Sequence, residues 1–270
     1  MNNVVKVMVL RTAGTNCDAE TVFAFRNFGA TVELVHINKL VDGDANINDY
    51  HILALPGGFS YGDDIESGKI LANELRLKLI QDIRQFISDG KLILGICNGF
   101  QVLVKSGILP GPVTVQQEND RESSAKTTLM TNDSARFEDR WVHLRVEGQS
   151  PWTKGLKKVI YLPVAHGEGK FIARDDQILD NLQTGRQVAF RYCTADGEGA
   201  DYPENPNGSV KGIAGIADKT GRILGLMPHP ERHFMFTQHP FWTRLPKNGK
   251  FGDGAKIFEN GVNYVKENLL

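Results

Sequence analysis

Residues 91–101 read KLILGICNGFQ, an apolar run of strand length that ends in the pattern Gly-x-Cys-x-Gly. This pattern is typical of a nucleophile elbow, a sharp strand-to-helix turn that lifts a reactive side chain off the sheet edge. Gly95 and Gly99 fit because such a turn leaves no space for side chains. The first N–H groups of the following helix favour a thiolate at Cys97. The pattern therefore predicts a nucleophile, with an inert buried cysteine as the alternative.

The composition indicates a globular protein without a strong charge. The chain has 270 residues, of which 41% are hydrophobic and 23% charged, and its formal net charge is −1. No repeat, low-complexity tract or linker is evident, so we predict a single domain over residues 1–270. The small net charge argues against nucleic acid or an anionic membrane as the main partner. Three cysteines without a CxxC pair, no secretory signal and no membrane-length apolar run predict a soluble, cytoplasmic protein.

The order of apolar runs and amphipathic stretches predicts an α/β fold with a doubly wound, mostly parallel sheet and an added small antiparallel region. Its ligands should lie at the carboxyl ends of the strands, where Gly14, the pair Gly57–Gly58 and Cys97 all fall. The predicted strands cover residues 4–10, 31–36, 51–55, 91–96, 126–130, 141–146, 159–163, 187–192, 213–217 and 222–226, the last two as a hairpin. The predicted helices cover residues 18–29, 68–88 and 253–269, with another starting near residue 100, and residues 195–212 are predicted as a loop.

A thiolate nucleophile needs a base and a group that orients this base. His229 is the best candidate base, because it follows an apolar strand and has proline on both sides, which restricts the backbone there. Glu231 lies two residues further on and can hold the imidazole in one tautomer. A metal site built from these two residues with His233 and His239 is the alternative. It is disfavoured because the chain lacks HExxH and CxxC pairs.

The turn Pro56-Gly57-Gly58 follows a predicted buried strand. Without side chains there, a backbone N–H can approach a reacting carbonyl group. Together with the N–H of Asn98, it would form an oxyanion hole with two donors. An ordinary tight turn after a strand is the alternative.

Residues 62–70, GDDIESGKI, look superficially like a phosphate-binding loop. Five residues instead of four separate the glycines, and Ile70 stands where Ser or Thr would bind magnesium. The acidic side chains in this stretch would also repel phosphate. The sequence therefore predicts no ATP site in this chain.

The combination of GICNGFQ and PHPE resembles the class I glutamine amidotransferases, which have a flavodoxin-like sheet and a Cys-His-Glu triad. Four further stretches resemble, within that family, the glutaminase subunits of phosphoribosylformylglycinamidine synthase, which act in de novo purine biosynthesis. These stretches are GTNCD at 14–18, LPGGFSYGD at 55–63, PVAHGEGKF at 163–171 and YPENPNGS at 202–209.

The resemblance implies a set of roles for residues of this chain. Cys97 would form a γ-glutamyl thioester with glutamine, His229 would move the protons, and Glu231 would orient His229. Gly58 and Asn98 would supply the oxyanion hole. The residues expected to hold the glutamine are Gln101, Asn132, Ser134 and Phe137.

The resemblance also implies partners. Ammonia would pass to a separate synthetase subunit that binds ATP and magnesium and converts formylglycinamide ribonucleotide to the amidine. A small third subunit would bridge the two, and this chain would carry no cofactor or metal. His166 would lie near the subunit interface or the ammonia tunnel, or would simply end a strand.

Three other functions remain open on the sequence alone. The chain could be the glutaminase subunit of another amidotransferase. A cysteine hydrolase or peptidase could use the same elbow, although it would have no reason to carry Gln101 or the loop that contains NPNGS. A binding subunit without activity could keep the fold, although the intact Cys, His and Glu argue against this.

Overall fold

A computed structural model describes residues 4–111, 126–246 and 249–270. Within these ranges, none of the helices is both long enough and apolar enough to cross a membrane. The strands are β1 (Lys6–Arg11), β2 (Thr31–His36), β3 (Ile52–Leu55), β4 (Leu92–Ile96), β5 (Thr127–Thr131), β6 (Glu138–Val146), β7 (Val159–His166), β8 (Glu168–Ala173), β9 (Val188–Cys193), β10 (Ile213–Ala217) and β11 (Ile223–Leu226). The α-helices are α1 (Asp18–Arg26), α2 (Ile37–Val41), α3 (Lys69–Lys78), α4 (Ile80–Ser88), α5 (Asn98–Lys105), α6 (Asp176–Thr184) and α7 (Ala255–Asn268).

The main sheet has nine strands in the order β2-β1-β3-β4-β11-β10-β9-β6-β7. The strands from β2 to β11 in this order pair in parallel, and those from β11 to β7 pair antiparallel. A separate antiparallel pair joins β5 to β8. The predicted fold class is confirmed, and so is the hairpin of β10 and β11. Most of the antiparallel strands extend the main sheet.

Helices cover the parallel half of the sheet on both faces. The chain moves in one direction along the sheet from β1 to β2 and in the other from β3 to β4, so right-handed crossovers put α1 and α3 on opposite faces. Accordingly, α1 contacts α7, and α3 contacts α5. Because both faces are covered, β3 and β4 are buried along their whole length.

The core between α1 and α7 is largely aromatic. The rings of Phe25 and Phe258 meet edge to face with centroids 5.0 Å apart, and Phe234 packs 6.2 Å from Phe258. One cluster of buried side chains includes residues from both halves of the chain. The single domain over residues 1–270 stays a prediction.

The prediction of one helix over residues 68–88 is wrong, because the chain forms α3 and α4 with a break at Leu79. This residue has φ −123° and ψ 5°, and its side chain is buried. Leu75, Leu79 and Ile83 are all buried, so the apolar pattern runs through the break without interruption.

The sequence reading missed β8 and α6. The start of α6 carries a recognisable signal, since the Asp175 side chain accepts a hydrogen bond of 2.9 Å from the Ile178 N–H. Ile178, Leu179 and Leu182 form its buried face. Strand β8 is short and only alternately buried, and its pairing with β5 is a contact between distant parts of the chain.

Two leucines on α3 give a matched test of this packing. Leu75 is fully buried, whereas Leu77 is 73% exposed. We expect Leu75→Ala to lower the free energy of unfolding by about 2–5 kcal/mol, because it leaves a cavity in the core. Leu77→Ala should change it by less than about 0.5 kcal/mol. Urea denaturation of both variants measures the difference, and equal losses would contradict the described orientation of α3.

Candidate active site

Cys97 lies at the turn between β4 and α5, with φ +51° and ψ −107°. This backbone conformation is strained for a residue with a side chain and persists only where the surroundings enforce it. A Cβ atom on Gly95 would lie 2.7 Å from the Gly99 carbonyl oxygen, and one on Gly99 would overlap the carbonyl oxygen of Leu55. Both glycines are thus required by close backbone contacts, as expected for an elbow.

The pairing of β4 with β11 brings the predicted base to the predicted nucleophile. The two strands run parallel, with Gly95 opposite Gly225 and Ile96 opposite Leu226. The Cys97 N–H continues this pairing with a 2.8 Å hydrogen bond to the Leu226 carbonyl. His229 comes three residues after β11, so it lies at the same sheet edge as Cys97.

His229 and Glu231 form a buried pair in which Nδ1 lies 2.6 Å from Oε1. Their side chains are almost completely excluded from solvent. Burial disfavours the imidazolium, but the Glu231 carboxylate and the Cys97 side chain outweigh it and hold the pKa of His229 well above its usual value. Within the described residues, Nε2 of His229 has no hydrogen-bond partner, so this atom is free to serve the nucleophile.

Gly57 lies against the triad. A Cβ atom there would be 2.7 Å from Cε1 of His229 and 3.4 Å from Cβ of Cys97. Any side chain would therefore push the base or the nucleophile away. The structure brings the predicted turn after β3 into direct contact with the catalytic pair.

Gly58 forms an isolated antiparallel bridge with Thr15. The flanking bonds run from the Asn16 N–H to the Gly57 carbonyl (3.3 Å) and from the Phe59 N–H to the Gly14 carbonyl (2.9 Å). In a bridge of this kind, the N–H of the central residue points away from its opposite strand. The Gly58 N–H therefore points away from Thr15, as an oxyanion donor requires. A Cβ on Gly58 would lie 2.7 Å from two backbone atoms of the loop before α1.

The side chain of Asn98 ties this turn to the elbow. Its Oδ1 accepts a hydrogen bond from the Ser60 N–H (3.2 Å), and its Nδ2 donates to Oε1 of Gln101 (3.0 Å). Gln101 in turn donates to the carbonyl of Glu168 (2.5 Å). Gln101 thus lies beside the elbow, as predicted, with both ends of its amide bonded to the protein.

Asn132 is buried and supports the segment that follows β7. Its Nδ2 donates to the carbonyls of Arg136 and His166, and its Oδ1 accepts from the Gly169 N–H and lies 3.2 Å from Nδ1 of His166. These contacts use all of the hydrogen-bonding positions of the amide. Asn132 therefore shapes the wall of the site through His166 and Gly169.

His166 is the last residue of β7 and is buried. Nε2 of its ring lies 3.4 Å from the side-chain amide of Asn207. Burial, with a smaller contribution from His229, lowers the pKa of His166 to about 3, so the ring is neutral. It ends the strand inside the protein, and its predicted place at an interface or tunnel stays a prediction.

Ser134 and Phe137 lie further out. The Ser134 hydroxyl donates to Oε1 of Glu138 at 2.7 Å. Phe137 is 53% exposed, and its ring centroid is 6.3 Å from that of Phe59, directly after Gly58. The structure thus brings Phe137 to the oxyanion turn, and the glutamine-binding roles predicted for both residues stay predictions.

Sequence reasoning missed Cys17 and Arg232. Cys17 is fully buried, with Sγ 3.9 Å from Nδ1 of His229 and 3.0 Å from Nη2 of Arg232. Cys17 belongs to the GTNCD stretch and Arg232 directly follows PHPE, so proximity to recognised motifs was the only available signal. No local pattern connects two residues so far apart in the chain.

A metal ion is disfavoured at this position. Potential ligand atoms of Cys17, His229 and Glu231 lie within 4.8 Å of one another. However, the positive guanidinium group of Arg232 already contacts the sulfur, and His229 is bonded to Glu231. A divalent cation would have to displace both contacts. His233 bonds the Tyr161 carbonyl through Nδ1, and the absence of a metal stays a prediction.

Comparison with known proteins agrees with this geometry. Residues 4–265 match the family described as the CobB/CobQ-like glutamine amidotransferase domain. A phosphoribosylformylglycinamidine synthase subunit PurQ of Dehalococcoides mccartyi is 47% identical, covering 97% of this chain and 98% of its own. A subunit of the same name from Methanococcus maripaludis is 42% identical, with 97% and 98% covered. A chain in the structure of PurLQS from Thermotoga maritima has 32% identity and a TM-score of 0.72, with 97% and 99% covered.

The family match spans nearly the whole chain, and each of these relatives covers 97% of it. The chain belongs to the glutamine amidotransferases with a CobB/CobQ-like domain.

Proposed function

We propose that this chain is the glutaminase subunit of a phosphoribosylformylglycinamidine synthase. It hydrolyses glutamine and delivers the ammonia to a synthetase subunit that makes the amidine of formylglycinamide ribonucleotide. The observation that carries this proposal is the buried His229, held by Glu231 at the same sheet edge as the strained Cys97. The full-length similarity to subunits named PurQ supports the choice of synthase.

The first half of the reaction forms a thioester. The Cys97 thiolate attacks the side-chain amide carbon of glutamine, and the carbonyl oxygen becomes an oxyanion. The N–H groups of Gly58 and Asn98 stabilise this charge, and each donor is worth about 10²–10³ in rate. When the tetrahedral intermediate collapses, the C–N bond breaks and the His229 imidazolium gives its proton to the leaving nitrogen, so that ammonia departs.

The second half returns the enzyme to its starting state. Neutral His229 takes a proton from water, which attacks the thioester carbon. The C–S bond then breaks, glutamate leaves, and Cys97 is again a thiolate beside the imidazolium. Glu231 stabilises the positive ring in both halves and keeps Nδ1 protonated, which leaves Nε2 for proton transfer.

Glutamine is held around the elbow. We assign contacts with the substrate to Gln101 and Phe137, which flank the elbow and the oxyanion turn. Asn132 acts by shaping this wall, since its amide has every hydrogen-bonding position used within the protein, and Ser134 lies further out, bonded to Glu138.

The chemistry that uses ATP belongs to the partner. In residues 62–70, the Gly68 N–H is bonded to Oδ1 of Asp63, and the Ser67 N–H to Oε2 of Glu168. Carboxylate oxygens thus accept hydrogen bonds from N–H groups that a phosphate-binding loop would offer to a phosphate. We therefore place ATP and magnesium on a synthetase subunit, joined to this chain by a small bridging subunit in the cytoplasm.

Replacement of the nucleophile tests the proposal. In the assembled complex, Cys97→Ser should abolish amidine synthesis with glutamine, because the hydroxyl is not activated as the thiolate is. It should spare synthesis with added ammonia, which bypasses the glutaminase. Cys193→Ser is the matched control, since Cys193 is buried at the end of β9 outside the site, and it should keep both activities. Loss of both activities in Cys97→Ser would contradict this division of labour.

The pH profile tests the role of Glu231. Its carboxylate favours the imidazolium, so Glu231→Gln should lower the pKa of His229 and move the alkaline limb of kcat/KM for glutamine to lower pH. The rate at the optimum should fall by about 10²–10⁴, as when a general acid–base group is impaired. Glu259→Gln, which removes a half-exposed carboxylate of α7 that is paired with Lys256, is the control. An alkaline limb that stays in place would show that Glu231 does not govern the charge of His229.

A further inference from the structure

Arg232 makes a specific contact that the proposed mechanism does not use. Its Nη2 donates a hydrogen bond of 3.0 Å to Sγ of Cys17, a residue 215 positions away in the chain. The Cys17 thiol in turn donates to Oδ1 of Asn16 at 3.1 Å. Burial raises the pKa of the Cys17 thiol, so it is neutral and its sulfur is an acceptor. The guanidinium group is therefore held in one position by a buried, oriented sulfur.

The sulfur that holds Arg232 also contacts the catalytic residues. Sγ of Cys17 is 3.9 Å from Nδ1 of His229, and it would be 3.2 Å from a Cβ atom on Gly57. The guanidinium group thus reaches Nδ1 of the imidazole through the sulfur of Cys17, whereas Nε2 is the atom left for the nucleophile. Arg232 is half-buried, so solvent screens its charge only in part.

The charges of the triad do not balance without Arg232. In its reactive form the triad carries a thiolate, an imidazolium and a carboxylate, which leaves one negative charge in a buried place. An uncompensated buried charge is strongly disfavoured. Although burial opposes the charge of Arg232, its hydrogen bond to the Cys17 sulfur and the nearby Glu231 and Cys97 raise its pKa, so the guanidinium remains positive. It supplies the missing positive charge.

We propose that Arg232, anchored on Cys17, is a positioning residue that balances the charge of the triad and thereby favours the reactive Cys97 thiolate. The guanidinium does not touch the substrate. It acts through its field and through the sulfur that separates it from His229. This inference relies on the proposed function only for the identity of the nucleophile.

The other ionisable groups around the triad come from several elements. Cys97 directly precedes α5, and Cys17 directly precedes α1. His166 of β7 is neutral, and burial raises the pKa of Tyr192 of β9 to above its usual range, so neither carries charge near neutral pH. Glu231 and His229 belong to the triad. Among these neighbours outside the triad, Arg232 is thus the group that carries a positive charge.

Alkylation of Cys97 tests the proposal without glutamine or a partner. Iodoacetamide reacts with the thiolate, so its rate against pH reports thiolate formation, and peptide mass spectrometry separates Cys97 from Cys17 and Cys193. Arg232→Gln keeps a hydrogen-bond donor but removes the charge. We expect the acid limb of its rate–pH profile to move to higher pH by on the order of one unit, because the lost positive charge no longer favours the thiolate.

Two further variants make the result decisive. Arg232→Lys keeps the charge and should leave the acid limb within about 0.3 pH unit of the parent, a difference well below one pKa unit of interaction. Arg244→Gln removes an exposed arginine near Phe241 and is the control for net charge. If the role of Arg232 were purely structural, both Arg232 variants would show a lower alkylation rate at every pH. The acid limb of the rate–pH profile would then stay where it is in the parent. An unmoved limb in Arg232→Gln, or equal shifts in Gln and Lys, would overturn the proposal.

If Arg232→Gln does not fold, Cys17→Ala provides the second test. It removes the acceptor that anchors the guanidinium and leaves every charge of the triad unaltered. The limb should then move in the same direction by a smaller amount. An unchanged limb in this variant would contradict the anchoring role of Cys17. Failure of the glutaminase proposal would leave these shifts in place, so the two proposals fail separately.

Discussion

The parallel pairing of β4 with β11 is the constraint on which the site depends. The two strands are far apart in the chain, and β11 reaches β4 only because the hairpin with β10 returns it to the centre of the sheet. Since the strands run parallel and in register, the residues that follow them emerge at one edge. Shifting this register by one residue would send alternate side chains to the opposite face and separate Cys97 from His229.

Backbone contacts then set the spacing within the site. Gly57 and Gly58 pack against the loop that precedes α1, and Gly99 packs against the end of β3. Each contact removes the space for a side chain and fixes a backbone N–H or a catalytic side chain. The site therefore comes from four parallel strands and their loops, and the antiparallel strands supply its far wall through His166. Within this frame, a charged imidazole is tolerated inside the protein because the Glu231 carboxylate is bonded to Nδ1 and, with the Cys97 side chain, raises the pKa of His229.

Local patterns in the sequence were sufficient to predict the elbow, the hairpin and the Pro-His-Pro-Glu base, because each depends on residues close together in the chain. The break at Leu79 was hidden, since the amphipathic pattern continues on both sides of it and tertiary packing decides. Strand β8 depends on pairing with a distant strand. The contact between Cys17 and Arg232 joins residues at opposite ends of the chain, and no spacing rule indicates it.

The chemistry of the site requires that His229 is held positively charged inside the protein by Glu231 and Cys97. The most direct measurement is an NMR titration of the labelled imidazole rings of the full chain. We expect His229 to keep its proton well above the usual range of histidine, whereas His166 stays neutral down to acidic pH. A His229 ring that loses its proton at or below the usual pH would show that Glu231 and Cys97 do not hold it charged.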